Sequence, residues 1–193
     1  MRDSILRKVR ESTDTQQRFF ETHANALATC ARALAERFRA GGRLYVAGNG
    51  GSACDAQHAA VEFQHPIVEK RRALPAQALP ADVAMLTAVG NDTDFSRTYA
   101  DQIELLARPG DVLLGVSTSG TSTNVNRALR AARAKGLLTV GFAGRDGGPL
   151  VDLCDHVFVV PSWSVHRIQE THTLLLHLLW DAVHVALGED DVL

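Results

Sequence analysis

Two pairs of polar residues in this chain have spacings that can do chemistry. His58 and Glu62 stand four residues apart in the run CDAQHAAVEF, so on a helix they share one face, one turn apart. An imidazole and a carboxylate placed this way can grip a divalent ion such as zinc, and a carboxylate near a substrate can also act as a base. A plain surface pair is the alternative. Gln169 and His177 are polar members of a leucine-rich segment. Eight positions put them about 12 Å apart along a straight helix. Both can therefore meet one ion only through long side chains, a bend or different subunits. A lone histidine in such a segment is ordinarily a satisfied core residue, and His166, His172 and His184 are read as structural or solvated.

Two loops could hold an anion beside these groups. Gly48-Asn49-Gly50-Gly51-Ser52 lets the backbone approach a ligand, and Ser52 can cap a following helix. A helix start offers free N–H groups and a partial positive charge, which suit phosphate without a lysine. The spacing fits neither a Walker loop nor a GxGxxG fingerprint, and an ordinary strand-to-helix turn is the alternative. The second loop is Ser117-Thr118-Ser119-Gly120-Thr121-Ser122-Thr123-Asn124, seven hydroxyl or amide side chains around one glycine. Such clusters often serve as caps and turns. Two of them at strand-to-helix junctions of one parallel sheet would face one crevice, which favours phosphate binding.

The elements that position these residues are legible as alternation. Compact apolar runs RLYVA (43–47), LPAQAL (74–79), DVLLGVS (111–117), LLTVGFA (137–143) and HVFVVP (156–161) read as buried parallel strands. Helical patterns follow them near 52–64, 82–89, 95–107, 122–135 and 147–153, and a long last helix runs from about His166 to Leu187. The first forty residues carry apolar positions at three-to-four spacing and end at Gly41-Gly42, read as two helices with a glycine stop. Strand–helix alternation predicts right-handed crossovers and a three-layer α-β-α sandwich on a five-stranded parallel sheet. Ligands in such folds bind at the carboxyl ends of the strands.

Composition sets the class. The chain has 193 residues, 46% hydrophobic and 22% charged, with a formal charge of −2. This is globular usage, and the length fits one domain over 1–193, with a helical segment at 1–41 and an α/β core at 42–193. The near-neutral balance gives no footprint for nucleic acid or a membrane surface, so any anion must be held locally. The amino terminus lacks the apolar core of a signal peptide. The longest apolar stretch, Leu174 to Leu187, is interrupted by His177, Asp181 and His184 and reads as a buried helix. Three scattered cysteines, Cys30, Cys54 and Cys154, suggest neither a disulfide framework nor a zinc site. A reducing cytoplasm is expected.

These motifs converge. GNGGSACDAQHAAVEF (48–63), GND (90–92), VSTSGTSTNV (116–125) and HRIQETHTLLLH (166–177) resemble the phosphoheptose isomerases of the sugar-isomerase (SIS) fold over nearly the whole chain. The resemblance implies two amino-terminal helices, a five-stranded parallel sheet and a homotetramer with sites at subunit contacts. It implies conversion of sedoheptulose 7-phosphate into D-glycero-D-manno-heptose 7-phosphate, the first step towards nucleotide-activated heptose. It also places Asn49, Gly50, Gly51 and Ser52 in the sugar-phosphate pocket, Ser117, Thr118, Ser119 and Ser122 on the phosphate, and Asn91 and Asp92 on the sugar. His58, Glu62, Gln169 and His177 align with the metal positions, usually zinc, with Gln169 also in the substrate pocket. Glu62 and His177 align with the acid/base pair. The chain departs from the family after the glutamate: where a Gly-Arg pair is common it has Phe63-Gln64-His65-Pro66, and Lys70, Arg71 and Arg72 come later. The competing readings are a non-catalytic SIS protein of the replication-initiator-associating type, which would keep the phosphate loops without the acid/base residues, and an isomerase of another phosphosugar.

Overall fold

The computed structural model describes residues 1–67 and 71–191. Five strands form one parallel sheet: β1 (Leu44–Gly48), β2 (Ala76–Ala78), β3 (Val112–Ser117), β4 (Leu138–Gly144) and β5 (His156–Val160), in the order β2-β1-β3-β4-β5. All neighbours pair in parallel, with Gly48 opposite Val116 and Ser117 opposite Ala143. The α-helices are α1 (Arg2–Arg39), α2 (Gly51–Gln64), α3 (Val83–Asp92), α4 (Ala100–Leu106), α5 (Thr123–Ala134) and α6 (Val165–Ala186), joined by 3₁₀ turns at Leu79–Ala81, Phe95–Arg97 and Gly148–Leu153. The segments predicted as helices at 95–107 and 147–153 are thus a 3₁₀ turn leading into α4 and a 3₁₀ turn alone.

The amino-terminal segment is one helix of 38 residues, not two. No glycine or proline interrupts it, and the polar stretch at its middle is absorbed by the helix itself. Thr13 and Thr15 donate their hydroxyls to the carbonyls of Val9 and Glu11 at 3.1 and 2.7 Å, and Gln17 donates to Glu21 at 2.9 Å. These i to i+4 partners remove the reason to break.

Side-chain alternation along the strands divides the core. Leu44, Val46, Val112, Leu114, Val140 and Phe142 face α1, α2 and α6 through Phe19, Leu34, Phe63, Leu175 and Trp180. Tyr45, Ala47 and Leu113 face α4 and α5 through Ile103, Val125 and Leu129. The chain leaves β1 for β2 on one side and returns to β3 on the other, so the carboxyl ends of β1 and β3 bound the switch-point crevice where sheets of this kind take ligands. No helix among the described residues is long and apolar enough to cross a membrane.

α6 carries a buried histidine with a stability consequence. His172 is 1% exposed and its Nε2 meets the Ala143 carbonyl at 2.9 Å. The carbonyl only accepts, so Nε2 holds the proton, and the buried Nδ1 has no partner among the described residues. Burial pulls this imidazole from 6.5 down to about 4, against the pull of that hydrogen bond. Between those values the unfolded chain binds a proton that the folded chain refuses. His172 should therefore cost up to about 3 kcal/mol of stability as pH falls from 6.5 to 4. Urea midpoints should fall less steeply over that range in His172→Gln, whose amide can still donate to Ala143, and equal slopes would contradict the assignment.

Candidate active site

The first loop is shaped by close approach. Gly50 caps α2 with φ at +55°, a conformation that side chains other than glycine resist. A Cβ on Gly51 would lie 2.1 Å from Nε2 of Gln169, so the amide of α6 sits directly against the start of α2. The second loop turns on Gly120, φ +66°, where a Cβ would lie 1.8 Å from the Gly147 carbonyl oxygen. Around it, Ser117 and Ser122 share a hydroxyl contact of 2.9 Å, and Ser119 and Thr121 one of 2.7 Å. Ser122 is the N-cap of α5 without using its side chain to cap. Since β1 and β3 are neighbours in register, both loops and the starts of α2 and α5 lie at the same end of the sheet, where N–H and hydroxyl groups are available to an anion. That is an arrangement for a phosphate.

His58, Glu62 and His177 gather on the facing sides of α2 and α6. One ligand atom from each lies within 4.8 Å of the other two. Nε2 of His58 is 3.3 Å from Oε1 of Glu62 and 3.2 Å from Nε2 of His177, with the two rings edge-on at 4.8 Å between centroids. All three side chains are half-buried. The structure thus brings together three of the four residues expected at a metal. Gln169 stands elsewhere. Its amide is at Gly51, seven residues of α2 or about 10 Å from His58, so within one chain it stands at the start of α2.

Asn91 and Asp92 close α3 in exposed positions, and Asn91 donates to Asp92 at 2.7 Å. Ser52 is buried at the start of α2, while Thr118 and Ser119 are half-buried in the second loop. The late arginines are engaged in ion pairs. Arg71 pairs with Asp181 and lies over the Trp180 ring at 4.5 Å, and Arg72 donates to Glu189 at 2.8 Å. Both fasten their segment to the end of α6; Lys70 lies outside the described residues. His184 is buried on Glu189 at 2.8 Å, and His166 is exposed.

Three residues at the site escape a reading of the sequence. Asp55 precedes His58 by three and Glu62 by seven, a spacing that could have flagged it. Burial lifts its carboxyl to about 6 against the attraction of His58, and Oδ2 is buried with no partner among the described residues. Tyr99 donates to the Gly48 carbonyl at 2.5 Å, and Asn124 exchanges hydrogen bonds with Asn49 at 2.8 and 2.9 Å. Nothing in the sequence pairs residues 75 positions apart.

Residues 9–144 match the SIS domain family. A phosphoheptose isomerase from Roseiflexus is 45% identical over 186 residues, covering 96% of this chain and 94% of its own. The chain belongs to the phosphoheptose isomerase family. Another phosphoheptose isomerase, from Solidesulfovibrio magneticus, is 49% identical over 185 residues, covering 96% of this chain and 90% of its own. A solved phosphoheptose isomerase from Francisella tularensis superposes with a TM-score of 0.91 at 33% identity, over 95% of this chain and 97% of that one. Against that fold, the five-stranded parallel sheet and the helices on both its faces are those of a phosphoheptose isomerase.

Proposed function

We propose that this chain isomerises sedoheptulose 7-phosphate to D-glycero-D-manno-heptose 7-phosphate through an enediol. The observation that carries the reading is a carboxylate and an imidazole, Glu62 and His177, held in one cluster on helices that run to a hydroxyl-lined phosphate crevice. The first loop and the Ser117–Ser122 hydroxyls fix the phosphate, and Gln169 holds the substrate beside Gly51. Glu62 takes the proton from C1 of the open-chain ketose and returns it to C2. His177 carries the hydroxyl proton from O1 to O2, which completes the exchange of carbonyl position with atoms and charges balanced.

The three clustered donors fit a metal ion. Nitrogen ligands at 2.0–2.1 Å from tetrahedral zinc stand about 3.3 Å from one another, the same spacing as the 3.2 and 3.3 Å separations seen here. His58, Glu62 and His177 would hold one zinc or similar divalent ion per subunit. When bound, it supplies a Lewis acid that polarises the carbonyl and steadies the developing oxyanion. Gln169 can join the same ion only from another copy of the chain, since it stands about 12 Å along α6 from His177. We propose that the chain assembles as a homotetramer with sites at subunit contacts. We place the enzyme in the cytoplasm, at the start of nucleotide-activated heptose synthesis, as a single SIS domain.

The test is to incubate the metal-analysed protein with sedoheptulose 7-phosphate and with hexose and pentose ketose phosphates, following aldose signals by NMR. The heptose should be converted at least about tenfold more efficiently than the shorter sugars. Tight sugar-phosphate binding without conversion of any of them would instead favour a non-catalytic SIS protein.

A further inference from the structure

Asn49 lies in the glycine loop expected to touch the sugar phosphate, yet its side-chain amide already has partners. Its Nδ2 donates to Oδ1 of Asn124 at 2.8 Å. Its Oδ1 accepts from Nδ2 of Asn124 at 2.9 Å and lies 3.2 Å from the Tyr99 hydroxyl oxygen. Two asparagines facing each other this way satisfy donor and acceptor on both sides. The partners are themselves buried. Asn124 is 3% exposed, and its Oδ1 also accepts from the Val125 N–H at 3.0 Å, just inside α5. Tyr99 is 2% exposed and gives its proton to the Gly48 carbonyl at 2.5 Å. Burial pushes that phenol up to about 12, so it remains a donor at any working pH. Thr98, wholly buried, reaches Asn124 at 3.4 Å and the Phe95 carbonyl at 2.9 Å.

Three segments that share no sequence neighbourhood therefore meet at this knot: the end of β1 with its glycine loop, the start of α5 behind the hydroxyl loop, and the 3₁₀ turn that leads from α3 to α4. The first two supply the two halves of the phosphate crevice. Their separation sets the width of that crevice, and a dianion bound between them gains only if the N–H and O–H groups converge to within hydrogen-bond distance.

We propose that Asn49, Asn124 and Tyr99 are positioning residues that lock the two phosphate loops at a fixed separation, so that Asn49 serves the ligand through its backbone and not through its amide. This inference rests on the phosphate-binding part of the proposed function, but not on which sugar is converted.

Inorganic phosphate is accordingly the probe. Its affinity for the full-length protein is measured by calorimetry for the wild type, Asn49→Ala, Asn124→Ala and the double variant, alongside steady-state kinetics with sedoheptulose 7-phosphate. Asn124→Ala should weaken phosphate about tenfold and raise KM by the same factor, with kcat within about twofold. The double variant should be no worse than the weaker single one, because both remove the same pair. Tyr99→Phe, which preserves the ring packing, should weaken phosphate about threefold to fivefold, and it gives the reading should Asn124→Ala fail to fold. An amide that reads the sugar gives the opposite pattern: Asn49→Ala raises KM and leaves phosphate affinity unchanged, while Asn124→Ala and Tyr99→Phe bind phosphate like the wild type. That result overturns the proposal. Failure of the wild type to convert any sugar while binding phosphate would remove the isomerase reading and leave this one in place.

Discussion

Glu62→Gln should lower turnover of sedoheptulose 7-phosphate by about 10³-fold, within the range that a general base contributes. The substitution keeps the size and one oxygen of the side chain but cannot take a proton. With the proposed phosphate site some turns away, at the starts of α2 and α5, KM should change by less than about threefold. The fold should be unaffected, since Glu62 is half-buried on the crevice side of α2 and its side-chain partner is His58. Metal content must be measured in the same preparation. A variant that keeps its ion and loses turnover isolates proton transfer, whereas one that loses both reports ligation. Retained turnover with the protein folded would remove Glu62 from the role of base.

Gly120→Ala should be the most damaging single methyl in the crevice. Its Cβ would lie 1.8 Å from the Gly147 oxygen and 2.4 Å from that carbonyl carbon, both backbone atoms, and φ is +66°. Neither the loop after β3 nor the one after β4 can move without dragging its strand. A cost of about 3–5 kcal/mol is expected, a fall in Tm on the order of 10 °C for a chain of this size. Gly50→Ala is the control. It has φ of +55° and ψ of −122° but nothing within 4 Å of the added atom, so only backbone strain of about 1–3 kcal/mol applies. Calorimetry of the two variants side by side separates steric collision from backbone strain. Equal losses would mean that the contact between the two loops is not what holds the hydroxyl cup in shape.

The parts of this molecule that were legible in the sequence are those with local signatures. Strand runs ending in glycine or serine placed β1 and β3, and the strand order puts the loops that follow them over one crevice. The i to i+4 spacing of His58 and Glu62 predicted a shared face, and the structure shows it. What the sequence left obscure depended on long-range packing. The first forty residues read as two helices, yet they form one, in which the Thr13 and Thr15 hydroxyls bond to carbonyls of the same helix. His177 looked like a core histidine, and only the packing of α6 on α2 brings it to His58. Gln169 looked like its equal but falls two turns away at Gly51. The Asn49–Asn124 pair has no local trace, since each residue alone is an ordinary loop or cap asparagine.

In the proposed reaction a protein side chain moves the proton between C1 and C2. Sedoheptulose 7-phosphate deuterated at C1 tests it most directly, with the position of the label in the aldose product read by NMR after turnover in ordinary water. Transfer through the Glu62 carboxylate predicts that deuterium is lost to solvent, at least in part, because a half-buried carboxyl exchanges its proton with water. Complete retention of the label at C2 would mean a direct hydride shift and would contradict the claim.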